Sequence, residues 1–134
     1  MNYLFVCTGN TCRSPMAQCL MAHLSGQPCQ SAGLYAAPGM PASPGARHAM
    51  EAANLSLEDH RSQPITEALL AWADEIWCMT PGHLAALETA YPALRNKYHV
   101  FSPAIPDPYG GSDAVYQLTA RALAEQLKII ASKP

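Results

Sequence analysis

The sequence predicts an α/β fold in three layers: a four-stranded parallel sheet with helices on both faces. Two observations carry that expectation. Short strand candidates alternate with segments of helical periodicity along the whole chain, which is the pattern of βαβ units with a covered sheet. Three helix starts are punctuated alike, by Ser14-Pro15, Ser43-Pro44 and Thr80-Pro81, each a capping hydroxyl followed by a residue suited to the first helical turn. With 134 residues, 49% of them apolar, the chain reads as one domain over residues 1–134, large enough for one core and too short for two.

Residues 2–6 open the sheet, because Tyr3, Leu4, Phe5 and Val6 form an apolar run that fits a buried strand. A helix over 16–24 follows, with Ser14 as its N-cap and Pro15 at its first position, and stops at Ser25-Gly26. Cys19 lies on it as a core residue. The second strand covers 29–33. Pro38, Gly39 and Pro41 make 34–42 an irregular linker, with Tyr35 as its aromatic. A helix over 46–54 ends at Asn54, a residue that tolerates the left-handed conformation. Residues 55–64, which include Asp59-His60-Arg61-Ser62, read as a solvated connection. A helix over 66–73, a strand over 75–79, a helix over 81–90 and a fourth strand over 98–102 complete the alternation. Ser112 then caps a helix over 113–132, apolar at Val115, Leu118, Leu123, Leu127 and Ile130. Ligands of such sheets gather at the carboxyl ends of strands, which is where Cys7 stands.

The segment Cys7-Thr8-Gly9-Asn10-Thr11-Cys12-Arg13-Ser14 joins the first strand to the first helix. Backbone N–H groups of such a loop turn inward, and the helix points the positive end of its dipole at the same spot. An anion of phosphate size fits there, facing the sulfur of Cys7. A thiol attacks only as thiolate, and N–H donors, a helix start and a guanidinium all favour an anionic sulfur. Arg13 can hold two phosphate oxygens bidentately, a geometry lysine lacks. Gly9 is expected to supply the backbone freedom for the turn. Ser14 has a second predicted duty besides capping, since its hydroxyl reaches the sulfur or the departing phosphate.

Composition excludes other classes. A net charge of −2 gives no basic footprint for nucleic acid. No run approaches the ~18 apolar residues of a membrane span, and no basic segment precedes the first apolar run as in a signal peptide. Five cysteines, an odd count without framework spacing, suit a reducing compartment, so cytoplasm is expected. Clusters of metal-ligand spacing are missing, so neither metal nor cofactor is expected.

CTGNTCRSP, residues 7–15, resembles the signature of the low-molecular-weight protein tyrosine phosphatases. Within that family it is most similar to the bacterial branch that dephosphorylates arginine in proteins. The resemblance extends along the chain, including Ser31-Ala32-Gly33 and Asp107-Pro108-Tyr109-Gly110. It implies a phosphoprotein phosphatase with a cysteinyl-phosphate intermediate. Cys7 attacks phosphorus, Thr8 to Arg13 supply donors, and Asp107 protonates the leaving group before activating the water. On its own, Asp107 reads as an ordinary turn aspartate; the resemblance makes it the general acid. The expected site is therefore Cys7, Arg13 and Asp107 as catalytic residues, with Thr8, Gly9, Asn10, Thr11, Cys12, Ser14 and Tyr109 as binding residues. A phosphorylated protein is the expected partner, without nucleic acid or membrane, and the chain is expected to be a monomer.

Thr11 separates the substrates. Tyrosine-directed members usually carry isoleucine there, whereas the arginine branch resembles this chain in having threonine. A phosphoguanidinium is flat, polar and wide near its P–N bond, so a hydroxyl suits it better than another carbon. Phosphoarginine is thus the expected substrate, with phosphotyrosine as the alternative. Tyr109 is either a pocket wall or an aromatic packed over the loop. The resemblance also implies that Cys7 and Cys12 can pair protectively, while Cys12 as a small filler beneath the loop fits equally. It allows His60 to brace the loop, but a solvated histidine fits that stretch as well, and His60 stays outside the expected site. Thioredoxin-coupled arsenate reductases share the fold and the Cys-x5-Arg loop but need two further neighbouring cysteines; here Cys78 stands alone in mid-chain. A catalytically silent phosphate-binding module conflicts with intact Cys7, Arg13 and Asp107.

Overall fold

A computed structural model describes residues 1–133 and shows four strands with helices on both faces. The strands are β1 (Tyr3–Cys7), β2 (Cys29–Gly33), β3 (Glu75–Cys78) and β4 (Tyr98–Val100). Their order is β2-β1-β3-β4, every pairing is parallel, and β1 is central. The helices are α1 (Arg13–Ser25), α2 (Pro44–Ala52), α3 (Glu67–Trp72), α4 (Pro81–Ala90) and α5 (Asp113–Ser132), with a 3-10 turn (Pro92–Lys97) before β4. No helix among the described residues is long and apolar enough to cross a membrane.

The three layers follow from the alternation along β1. Tyr3, Phe5 and Cys7 face one side and pack with Met16, Met21, Met50, Leu123 and Leu127 of α1, α2 and α5. Leu4 and Val6 face the other side and pack with Leu70 and Leu87 of α3 and α4. Burying side chains of this size contributes about 1.5–3 kcal/mol each. A strand buried on both faces cannot slip register without exposing one of these sets, so the tip of β1 is held in a fixed place.

Five local expectations are revised. The helix α1 starts at Arg13, because its first backbone bond runs from Met16 N to Cys12 O. Cys12, not Ser14, is therefore the N-cap, and Pro15 sits third in the helix, still in the turn whose N–H groups lack helical partners. The helix α5 has its expected bounds, but Val115 and Leu118 are exposed; Tyr116 and Thr119 take the core positions. The fourth strand ends at Val100 because the chain turns onto α5, where Ser102 N donates to Gln126 Oε1 at 2.9 Å. Residues 55–64 are only partly solvated: Ser62 is buried, and its N–H donates to Met40 O. Of the other expected hydroxyl caps, Thr80 Oγ1 accepts from His83 N and Ser112 Oγ from Val115 N, whereas Ser43 stands at the N-cap of α2 without a side-chain capping bond, its hydroxyl lying 3.3 Å from Cys12 Sγ instead.

Gly33 ends β2 where the chain passes behind the loop after β1. A Cβ there would lie 2.6 Å from Thr8 O and 3.0 Å from Asn10 N, both backbone atoms that no rotamer change can move. Gly33→Ala is therefore expected to lower stability by about 1–3 kcal/mol, read from urea unfolding curves. An unchanged midpoint would show that the loop yields.

Candidate active site

A cavity of about 220 Å³ opens at the carboxyl end of β1, lined by Cys7, Thr8, Gly9, Thr11, Cys12, Arg13, Asp107 and Tyr109. The strand delivers Cys7 to its floor and the first turn of α1 delivers Arg13 to its wall. Both are nearly buried, at 3% and 5% exposure. The guanidinium is anchored by Nη1 donating to Ile105 O at 3.0 Å, and Nη2 lies 3.8 Å from Asp107 Oδ2. Its Nε is buried without a hydrogen-bond partner. A buried cationic donor of this kind is satisfied by an anion entering the cavity.

Asn10 and Ser14 are brought to the loop but do not line the cavity. Asn10 is fully buried and adopts φ 57°, the left-handed conformation that the sequence assigned to Gly9. At Gly9 an added Cβ would make only an ordinary contact, 3.8 Å from Thr11 Oγ1. The strain at Asn10 is offset by its side chain. Its Nδ2 donates to Ser14 Oγ at 2.8 Å and Ser31 Oγ at 2.9 Å, and its Oδ1 accepts from Gln63 N at 3.0 Å. Ser14 Oγ lies 2.8 Å from Cys7 Sγ. Because this oxygen already accepts from Asn10, its own proton is free to donate to a sulfur anion.

Two histidines brace the loop from outside the expected set. His60 Nε2 donates to Asn10 O at 2.7 Å, so the half-buried ring supports the strained residue. His83 Nε2 lies 2.9 Å from Thr8 Oγ1. Burial lowers the pKa of His60, and burial with the nearby Arg13 charge pushes His83 down to about 4, so at neutral pH His83 is uncharged. The resemblance alone points to His60, in Asp59-His60-Arg61-Ser62, and nothing local in the sequence marks His83.

Asp107 reaches the cavity rim while serving as a turn aspartate. Its Oδ1 accepts from Tyr109 N at 3.0 Å, and Gly111 N closes the turn on Pro108 O at 2.8 Å. The Tyr109 ring is 78% exposed, so it stands at the cavity mouth and is not packed over the loop. Cys12 is buried, with Ser43 Oγ and Tyr116 OH each 3.3 Å from its sulfur. Cys7 and Cys12 are both free thiols. Burial pushes the thiol of Cys78 up to about 12 and that of Cys29 up to about 11, which keeps both protonated and unreactive.

A thiol facing an anion cradle at the tip of a central parallel strand defines the class of cysteine-dependent phosphatases. Comparison with known proteins narrows this. Residues 2–133 match the family model described as low molecular weight phosphotyrosine protein phosphatase, and the chain belongs to that family. The protein-arginine-phosphatase of Bacillus subtilis is 34% identical, over 99% of this chain and 96% of its own. The low molecular weight protein-tyrosine-phosphatase Wzb of Salmonella typhi is 38% identical, over 98% of this chain and 97% of its own. A solved YwlE arginine phosphatase, a cysteine-to-serine mutant with its active-site serine phosphorylated, superposes with a TM-score of 0.93 at 34% identity, covering 98% of this chain and 93% of that one.

Proposed function

We propose that this chain is a protein-arginine phosphatase acting through a cysteinyl-phosphate. Identity does not choose the substrate, because an arginine-directed and a tyrosine-directed relative are 34% and 38% identical to it. Thr11 on the cavity wall carries the choice. Its hydroxyl offers a polar partner to the guanidinium nitrogens, whereas an aliphatic side chain there would leave them without one.

In the first half-reaction the sulfur anion of Cys7 attacks phosphorus, forming the S–P bond as the P–N bond breaks. The proton held by Asp107 moves to the departing guanidine nitrogen. The equatorial oxygens are held by N–H groups of Thr8 to Arg13 and by the Arg13 guanidinium, whose unpaired Nε then gains its acceptor. In the second half Asp107 takes a proton from water, the oxygen attacks phosphorus, and the S–P bond breaks. Ser14 donates to the sulfur anion that forms. We assign Gly9 to the close approach of loop and phosphate, Tyr109 to the wall beside the substrate guanidinium, and Asn10 and Cys12 to holding the loop. The same reading has a single-domain monomer acting on phosphorylated proteins in the cytoplasm. The net charge of −2 and the five cysteines without framework spacing support it.

Side-by-side turnover of phosphoarginine and phosphotyrosine tests the choice. Wild type is expected to favour phosphoarginine, and Thr11→Ile to shift the ratio of kcat/KM toward phosphotyrosine by about 10–100-fold. Wild-type preference for phosphotyrosine would replace the arginine reading by the tyrosine one, which the Wzb relative supports.

A further inference from the structure

His83 belongs to neither the strand tip nor the loop, yet it is buried at 7% exposure against the exposed Thr8. It lies in the first turn of α4, on the opposite side of the sheet from α1. Both ring nitrogens are engaged by hydroxyls, Nε2 by Thr8 Oγ1 at 2.9 Å and Nδ1 by Thr80 Oγ1 at 3.1 Å. Two arrangements of protons satisfy this chain. In one, Nδ1–H donates to Thr80 and the Thr8 hydroxyl spends its proton on Nε2. In the other, Thr80 donates to Nδ1 and Nε2–H donates to Thr8.

Two features select the second. Thr80 Oγ1 already accepts the His83 backbone N–H as helix cap, at 3.3 Å, and giving its own proton to Nδ1 uses its donor as well, whereas accepting a second hydrogen from Nδ1 would leave that proton without either contact. Nδ1 also lies at the N-terminus of α4, where the helix dipole favours a lone pair over a proton. With Nε2–H donated to it, Thr8 Oγ1 must direct its hydrogen elsewhere. Thr8 lines the cavity with Cys7 and Arg13, so that hydrogen points at the bound anion.

We propose that His83 is a positioning residue: held by Thr80 in the Nε2–H form, it turns the Thr8 hydroxyl into a fixed side-chain donor to the phosphoryl group, in addition to the backbone donors of the loop. The charged groups facing the ring are Arg13 and Asp107. An uncharged imidazole near them orients Thr8 without adding a cation that would compete with Arg13 for the phosphate.

The proposal rests on the phosphatase reading only for its kinetic arm. Nitrogen-15 NMR of the wild-type protein at pH 7 is expected to show His83 neutral with Nε2 protonated; an Nδ1–H tautomer or a charged ring would overturn the proposal without any variant. Inorganic phosphate is the binding probe. Thr8→Val and His83→Leu are each expected to weaken phosphate binding about tenfold, the worth of one hydrogen bond to a charged group. The double variant should be no weaker than the worse single, since both remove one donor. His83→Gln, whose side-chain amide reaches Thr8 in the same way, should recover most of the loss, and kcat/KM should follow the same order. Unchanged phosphate affinity in Thr8→Val, or additive losses in the double variant, would overturn the assignment. Phosphate binding that follows this order in a protein without turnover on either phosphorylated residue would reject the phosphatase reading and leave the Thr8–His83 assignment standing.

Discussion

Cys7→Ser is expected to lose about 10⁴–10⁶-fold in turnover while still binding inorganic phosphate. The cradle itself is untouched, because Arg13, the loop N–H groups and the Asn10 bracing do not depend on sulfur. What disappears is the anion. A thiol attacks as its anion, whereas an alcohol is far harder to ionise and attacks phosphorus slowly. The second half-reaction is slower still, since an alkoxide is a much poorer leaving group than a thiolate. The P–N bond of phosphoarginine transfers phosphoryl readily once nitrogen is protonated, so the serine should become phosphorylated and remain so. The phosphorylated serine in the related YwlE mutant is the same outcome in that protein. Intact-mass measurement after exposure to phosphoarginine should show one added phosphoryl group without catalytic release. Turnover above the uncatalysed background would mean that Cys7 is not the nucleophile.

How much of this was legible in the sequence depends on how local each feature is. The strand, the loop and the helix after it are contiguous, and the run from Tyr3 to Ser14 sets out thiol, donors and guanidinium in order. Even there the detail differed. The turn was assigned to Gly9 on intrinsic freedom, but Asn10 takes the left-handed position because three side-chain hydrogen bonds hold it. Of the two duties the sequence gives Ser14, its hydroxyl does reach the sulfur, but it caps no helix, because α1 starts earlier and Asn10 claims the same oxygen. The bracing residues were out of reach. His60 stands 50 positions from Asn10 and His83 stands 75 from Thr8, so only the parallel crossovers of the sheet bring them to the loop. Along α5, apolarity alone chose Val115 and Leu118. Tyr116 and Thr119 occupy the core instead because their hydroxyls are satisfied there, by Cys12 Sγ and by Val115 O.

Asp107→Asn is the second large effect, an expected fall in kcat of about 10²–10⁴ at neutral pH with little change in KM. The substitution is a clean one in this structure. Asparagine keeps an oxygen at the Oδ1 position, so the bond from Tyr109 N and the turn that aims the side chain at the cavity both persist. The substitution also removes the ion pair to Arg13 Nη2 at 3.8 Å, and a pair that long, with its carboxylate 54% exposed, contributes little to stability. An effect on rate with unfolding curves superimposed on wild type would therefore report proton transfer and not damage to the rim. The size of the loss should depend on the leaving group. A guanidine nitrogen leaves only with a proton, so phosphoarginine should feel the substitution fully, whereas a phosphate ester of an acidic phenol leaves as its anion and should lose far less. Equal losses on both substrates would point to positioning, and rates unchanged on both would return Asp107 to the turn role it already fills.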